Sequence, residues 1–356
     1  MHEQRNTLAS IGHVLVAVSA QAAVAEEPVT LQNVKEPSAN TADEPVVKQF
    51  SLDAAVQFLD SAALSWQQQR KCFTCHTNYA YLYARPAISP DAPAHAEVRK
   101  FAEELVSERW KTSGPRWDAE VVATAAALAF NDAATTGKLH PLTQTALDRM
   151  WTVQREDGGW NWLKCNWPPM ESDDHYGATL AALAVGVAPG GYAKTELAQN
   201  GLDKIRKYLK DNPAPTLHHE AMILWVATYL DGFMSDAEKK TTIDKLLALQ
   251  KPDGGWGLAT LGNWKRSDDM QQDTESSDGY GTGFVIYVLR RAGVPASDKR
   301  LQGGVAWLKS HQRESGRWFT RSLNKDSKHF ITHAGTAFAV MALAACDATQ
   351  TASAKN

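Results

Sequence analysis

Two kinds of segment alternate along most of this chain. In "DAEKKTTIDKLLALQ" (236–250), Ile243, Leu246, Leu247 and Gln250 recur at helical spacing among polar neighbours, which predicts a helix with one buried face. The next long apolar segment, "GYGTGFVIYVLRRAG" (279–293), is apolar almost all round, and a helix without a polar face must be surrounded by protein. The same alternation appears in "HAEVRKFAEELVSERW" followed by "VVATAAALAF", and in "LDKIRKYLK" followed by "EAMILWVATYL". Two more segments, "YGATLAALAVGVAP" and "AGTAFAVMALAAC", are apolar throughout. With "LDAAVQFLDSAALSWQQQ" and "NYAYLYA" as a first pair, six outer/inner hairpins follow one another. Six such pairs can close into a ring, so the predicted fold is an all-α (α/α)6 barrel over residues 50–348, with a disordered tail at 349–356.

A shorter signal marks the turns. "QREDGGW", "QKPDGGW" and "QRESGRW" place Gln, Gly and Trp at one spacing three times: Gln154/Gly158/Trp160, Gln250/Gly254/Trp256 and Gln312/Gly316/Trp318. This is an internal repeat. Over residues 140–346 these turns and their helices resemble the QW repeats of the squalene-hopene cyclase and oxidosqualene cyclase family, whose toroid is shared with prenyltransferase β-subunits. The resemblance implies that Gln154, Trp160, Gln250, Trp256, Gln312 and Trp318 are structural and tie neighbouring hairpins together.

In such a ring every outer-to-inner turn lies at one end, where residues distant in sequence converge. The polar residues expected at this mouth include Glu171, Asp173, Asp174, His175, His218, His219, Glu220, Asp273, Glu275, Asp278, His329 and His333. Glu171-Ser172-Asp173-Asp174 resembles the cyclase family's D-x-D-D motif with Glu in first place. The resemblance implies Asp173 as the general acid protonating an alkene, with Glu171 and Asp174 keeping it protonated, in a class II terpene-cyclase-like isomerase acting on a polyisoprenoid. Against this stands "ESSDGYG" (275–281), which repeats "ESDDHYG" (171–177) and reads as helix-capping architecture. His329 and His333, four apart, would share a face if the last helix begins early enough.

The first repeat carries different chemistry. Aligning Trp66 and Gln69 with Trp151 and Gln154 sets "CFTC" over "DGGW", so a cysteine pair replaces the Trp turn. Cys72-x-x-Cys75-His76 is the attachment pattern for haem c, two thiols for the vinyl groups and His76 as the proximal iron ligand. A disulfide or thiol pair, another metal and a plain surface turn remain as alternatives. The second axial ligand would come from His175, His218, His219, His333 or Met170, or be absent.

Attachment of haem c needs an exported, periplasmic chain. Arg5, the apolar run from Leu8 and Ala23-Val24-Ala25 read as a signal peptide over residues 1–25, followed by a Glu/Pro-rich stretch, 26–49, expected to be a disordered linker. A formal charge of −3 without a basic stripe excludes nucleic acid as an expected partner. No remaining apolar stretch reaches the roughly 20 residues of a spanning helix, so a soluble or peripheral protein is expected. Three functions stand side by side: a toroid binding an apolar small molecule or lipid, with or without cyclase activity; a c-type cytochrome with a redox partner; and a non-catalytic interaction scaffold.

Overall fold

The computed structural model describes residues 27–89, 91–327 and 329–353, of which 348–353 by backbone alone. The expected signal peptide lies outside them. Six hairpins follow in order, each an outer helix and then an inner one: α1 (Leu52–Arg70) with a π-turn at Cys75–Tyr79 leading into α2 (Ala80–Ala84); α3 (Pro93–Glu104) with α4 (Asp118–Ala134); α5 (Pro141–Thr152) with α6 (Asp174–Val187); α7 (Glu196–Asp211) with α8 (Leu217–Val226); α9 (Asp236–Ala248) with α10 (Gly279–Arg291); α11 (Lys299–Ser310) with α12 (Ile331–Ser353). Each inner helix packs on the next, and α12 returns to α2, so the circle is closed. The protein is an (α/α)6 barrel.

The patterning explains the layers. Outer α9 buries Thr242 and Leu246 along one stripe, whereas α6 buries every residue from His175 to Val185. Small residues let inner helices approach closely: a β-carbon on Gly283 of α10 would lie 2.4 Å from the Ala339 nitrogen of α12. Aromatic side chains meet across the barrel axis. Phe130 of α4 meets Trp225 of α8 at 5.3 Å between ring centroids, and Trp225 meets Phe338 of α12 at 6.2 Å, although neither pair belongs to adjacent inner helices.

The repeated turns close the outer layer. Gln154, Gln250 and Gln312 each lie two residues beyond an outer helix and donate both to the carbonyl of their own turn glycine and to the next outer helix or its cap: Gly201 of α7, Arg300 of α11 and Ser51 before α1. The Gln312 carboxamide oxygen also accepts from the Ser51 N–H at 2.8 Å, joining the last repeat to the first. Trp160, Trp256 and Trp318 are fully buried, each donating its indole N–H to the carbonyl ten residues earlier. Gly158 and Gly316 need to be glycine: φ is +93° and +91°, and a β-carbon would sit 2.2 Å from Lys204 O and 2.1 Å from Ala54 O.

Two expected boundaries change. The helix α12 runs to Ser353, through the start of the expected tail. Residues 27–49 form a docked strap instead of a flexible linker. Val29, Leu31 and Val34 pack on the core, Val47 N–H donates to Gln312 O, and the buried Arg317 gathers the strap by pairing with Glu44 and donating to Ser38 O, Ala39 O and Asn40 Oδ1. Composition suggested disorder because the segment has little apolar surface; three apolar anchors, backbone bonds to the last turn and the buried Arg317 guanidinium order it together.

Candidate functional site

The inner-helix starts converge on one rim, and polar pairs link them around the circle. The Cys75 thiol, at the start of the first inner segment, is buried and faces the Glu171 carboxyl before α6, burial and carboxyl together raising the thiol pKa. Asp173, which caps α6, accepts from His219 Nε2 of α8 at 3.1 Å. His218 of α8 contacts Tyr280 OH of α10 at 3.0 Å, the α10 cap Asp278 accepts from Thr320 at 3.2 Å, and His333 of α12 contacts Thr77 at 2.9 Å. Cysteines, acids and histidines therefore do share one end of the barrel.

Asp173 is an anion in this setting. Burial alone would raise its pKa, but donors from His219, the Tyr176 N–H and Ser172 hold the carboxyl well below the usual range. Thr216 Oγ1 lies 2.7 Å from His219 Nδ1, which holds the ring with Nε2 turned to Asp173. Asp174 is occupied differently, accepting from Arg155 at 2.6 Å and from the Trp162 N–H. Asp278 occupies the same place in its repeat, accepting from the Leu258 N–H, and is raised to about 6 by burial. Glu171, pushed up by burial, faces Cys75 and not Asp173's hydrogen-bonding groups.

Other rim residues divide sharply. Glu220 turns outward to Lys245, and Asp273 caps its own exposed turn. His329 precedes α12, so it shares no helix face with His333; its Nδ1 accepts from the Ser322 N–H. Among the described residues no group of three His, Cys, Asp or Glu is arranged to hold a metal ion. His175 stands out: it is 5% exposed, both ring nitrogens lack a hydrogen-bond partner among the described residues, and burial lowers its pKa to about 4. It is a neutral, uncommitted imidazole at the mouth.

Cys72 and Cys75 are not bonded to one another. His76 stacks on Phe330 at 5.5 Å and meets the edge of Trp66 at 5.2 Å. Its Nδ1 contacts Thr77 Oγ1 at 3.0 Å, while its Nε2 has no hydrogen-bond partner among the described residues. Two thiols and an imidazole anchored through one nitrogen fit haem c by donor type. Gln69 breaks the alignment with the later repeats, since it bonds Ser65 and Glu36 and does not reach the next outer helix. Thr77, Asn40 and Arg317 were not foreseen as site residues. Arg317 had a signal: it stands where the other two turns have their second glycine, Gly159 and Gly255.

Solved structures share this fold. The chain is similar to ent-copalyl diphosphate synthase from Streptomyces platensis, with TM-score 0.52 and 15% identity over 82% of this chain and 51% of that one. It is also similar to the type II terpene cyclase MstE from Scytonema, with TM-score 0.51 and 12% identity over 82% and 97% of the two chains, and to a protein from Actinoplanes, with TM-score 0.50 and 11% identity over 83% and 99%. The chain thus spans about half the length of the copalyl diphosphate synthase. These likenesses define the fold as a terpene-cyclase-like helical toroid. No protein-family model and no curated protein matches the chain.

Proposed function

We propose that this chain is an exported, periplasmic toroid that carries a covalent haem c on Cys72 and Cys75 with His76 as proximal ligand, and that it moves electrons to a redox partner. The observation that carries the reading is the His76 ring, held through Nδ1 by Thr77 and set against Trp66 and Phe330, with Nε2 unpaired among the described residues and two free cysteines one and four residues earlier in the chain. A bound haem would supply one-electron chemistry. The chain's own part is to orient His76 and to shield its ring faces with aromatic side chains. Of the candidates for a second ligand, His218, His219 and His333 are engaged in hydrogen bonds, and His175 is the imidazole left uncommitted. Protein made with haem-maturation machinery is expected to show a Soret band resisting acid–acetone extraction and an intact mass raised by one haem. Both should vanish in the Cys72→Ala/Cys75→Ala double variant; colourless wild-type protein rejects the reading.

A second reading is supported by the uncommitted His175 at the mouth: an apolar, polyisoprenoid-type ligand approaching the rim, with Asp173 as proton donor in a class II cyclisation. The likeness to a copalyl diphosphate synthase and a type II terpene cyclase favours that substrate class. Two features count against it, the aromatic contacts across the axis and the stabilised anion at Asp173. Loss of polyprene turnover in Asp173→Asn, with the fold intact, would support cyclisation; no turnover by the wild type at any pH would dismiss it.

A further inference from the structure

We infer that the strap fixes the tautomer of His76 through a chain of hydrogen bonds, and so controls the nitrogen that would meet iron. The chain starts at Arg317, which is 1% exposed and donates from Nη1 to Asn40 Oδ1 at 2.8 Å. With its oxygen held there, the Asn40 amide turns its NH2 toward His333, whose Nε2 lies 3.2 Å from Nδ2. An amide NH2 only donates, so His333 Nε2 is the acceptor and, in a neutral ring, the proton sits on Nδ1. That Nδ1–H donates to Thr77 Oγ1 at 2.9 Å. The Thr77 hydroxyl, buried, then has its own hydrogen to place, and the acceptor within reach is His76 Nδ1 at 3.0 Å. A neutral His76 accepting at Nδ1 carries its proton on Nε2.

Iron ligation needs the opposite arrangement, a lone pair on Nε2 and a proton on Nδ1. Inverting the relay moves no net charge: one proton leaves His76 Nε2, the two relay hydrogens shift along the chain, and one proton arrives at His333 Nε2. That last N–H would then oppose the Asn40 NH2. Asn40 must turn its amide, which sets the NH2 against the Arg317 guanidinium, or the strap must leave. Docking of residues 38–47 and ligation at His76 are therefore antagonistic, and by linkage each weakens the other equally. Asn40, Thr77 and Arg317 are positioning residues for His76. The coupling to iron rests on the haem reading; the tautomer does not.

The relay is tested on haem-free protein by long-range proton–nitrogen correlation on 15N-histidine-labelled samples at pH 9. Wild type is expected to show His76 protonated on Nε2 and His333 on Nδ1. Asn40→Asp, whose carboxylate accepts from both Arg317 and His333 Nε2, should transfer His76 to the Nδ1–H form. Adding Thr77→Val should cut that response, whereas Thr77→Ser should keep it. A His76 tautomer that is the same in wild type and Asn40→Asp overturns the inference, as does a shift that survives Thr77→Val. In haem-loaded protein, proteolytic cleavage within residues 38–47 should run on the order of tenfold faster than in haem-free protein, and Asn40→Asp should erase the difference; equal rates in the wild type overturn the coupling while leaving the tautomer result to stand or fall by the spectra.

Discussion

At single residues, the chemistry here is decided by which donors surround a group. Asp173 was readable as an acid at a helix start, but its charge state depends on His219, forty-six positions away. Asn at position 173 still caps α6, so the variant should lose only the charged part of the His219 bond, roughly 1 kcal/mol, read as a small fall in the denaturation midpoint; a loss of several kcal/mol would mean that the anion itself holds α6 and α8 together. Gly158 is the opposite case, fully legible from the repeat. Gly158→Ala should cost at least about 2 kcal/mol from the left-handed backbone, with the contact at Lys204 O added, and the denaturant midpoint should show it. A neutral effect would disprove the close approach of the turn to α7.

Among elements, the repeat spacing foretold which residues join hairpins, and the hydrogen bonds follow it. What the spacing could not show is that the three joints differ. Gln312 is fully buried and makes three bonds, two of them across the seam between last and first repeats, while Gln154 and Gln250 are half-buried with two bonds each, one of them to the next outer helix. Gln312→Ala should therefore destabilise by about 2–4 kcal/mol and Gln250→Ala by about 1–2, compared by urea titration; the reverse order would place the weak point of the ring elsewhere. The likeness of "ESDDHYG" to "ESSDGYG" was also informative and only partly so. Asp174 and Asp278 both accept from the N–H two residues past the turn tryptophan, yet the α6 cap falls on Asp173, one place earlier than the cap at Asp278. That shift sets the Asp173 carboxylate toward His219.

For the whole molecule, closure buries neutral histidines, and this gives stability a pH dependence. Burial lowers His76 and His333 to about 3 and His175 to about 4. Their unfolded values are about 6.5, so below that pH the unfolded chain binds more protons and stability falls as pH drops, by up to about 1.4 kcal/mol per pH unit for each histidine. Thermal midpoints should decline from pH 6.5 toward pH 4, and the decline should be shallower in His333→Gln; a flat profile contradicts burial of neutral rings. The sequence by itself determined the six alternating hairpins, the three Gln–Gly–Trp joints and the Cys72/Cys75/His76 group, because apolar period and repeat spacing are local properties of the chain. Only the tertiary structure decided that aromatic rings meet across the barrel axis, that residues 27–49 are docked as a strap, and which nitrogen of each histidine is engaged. Those outcomes depend on groups brought together from opposite ends of the chain when the ring closes, and no local pattern records them.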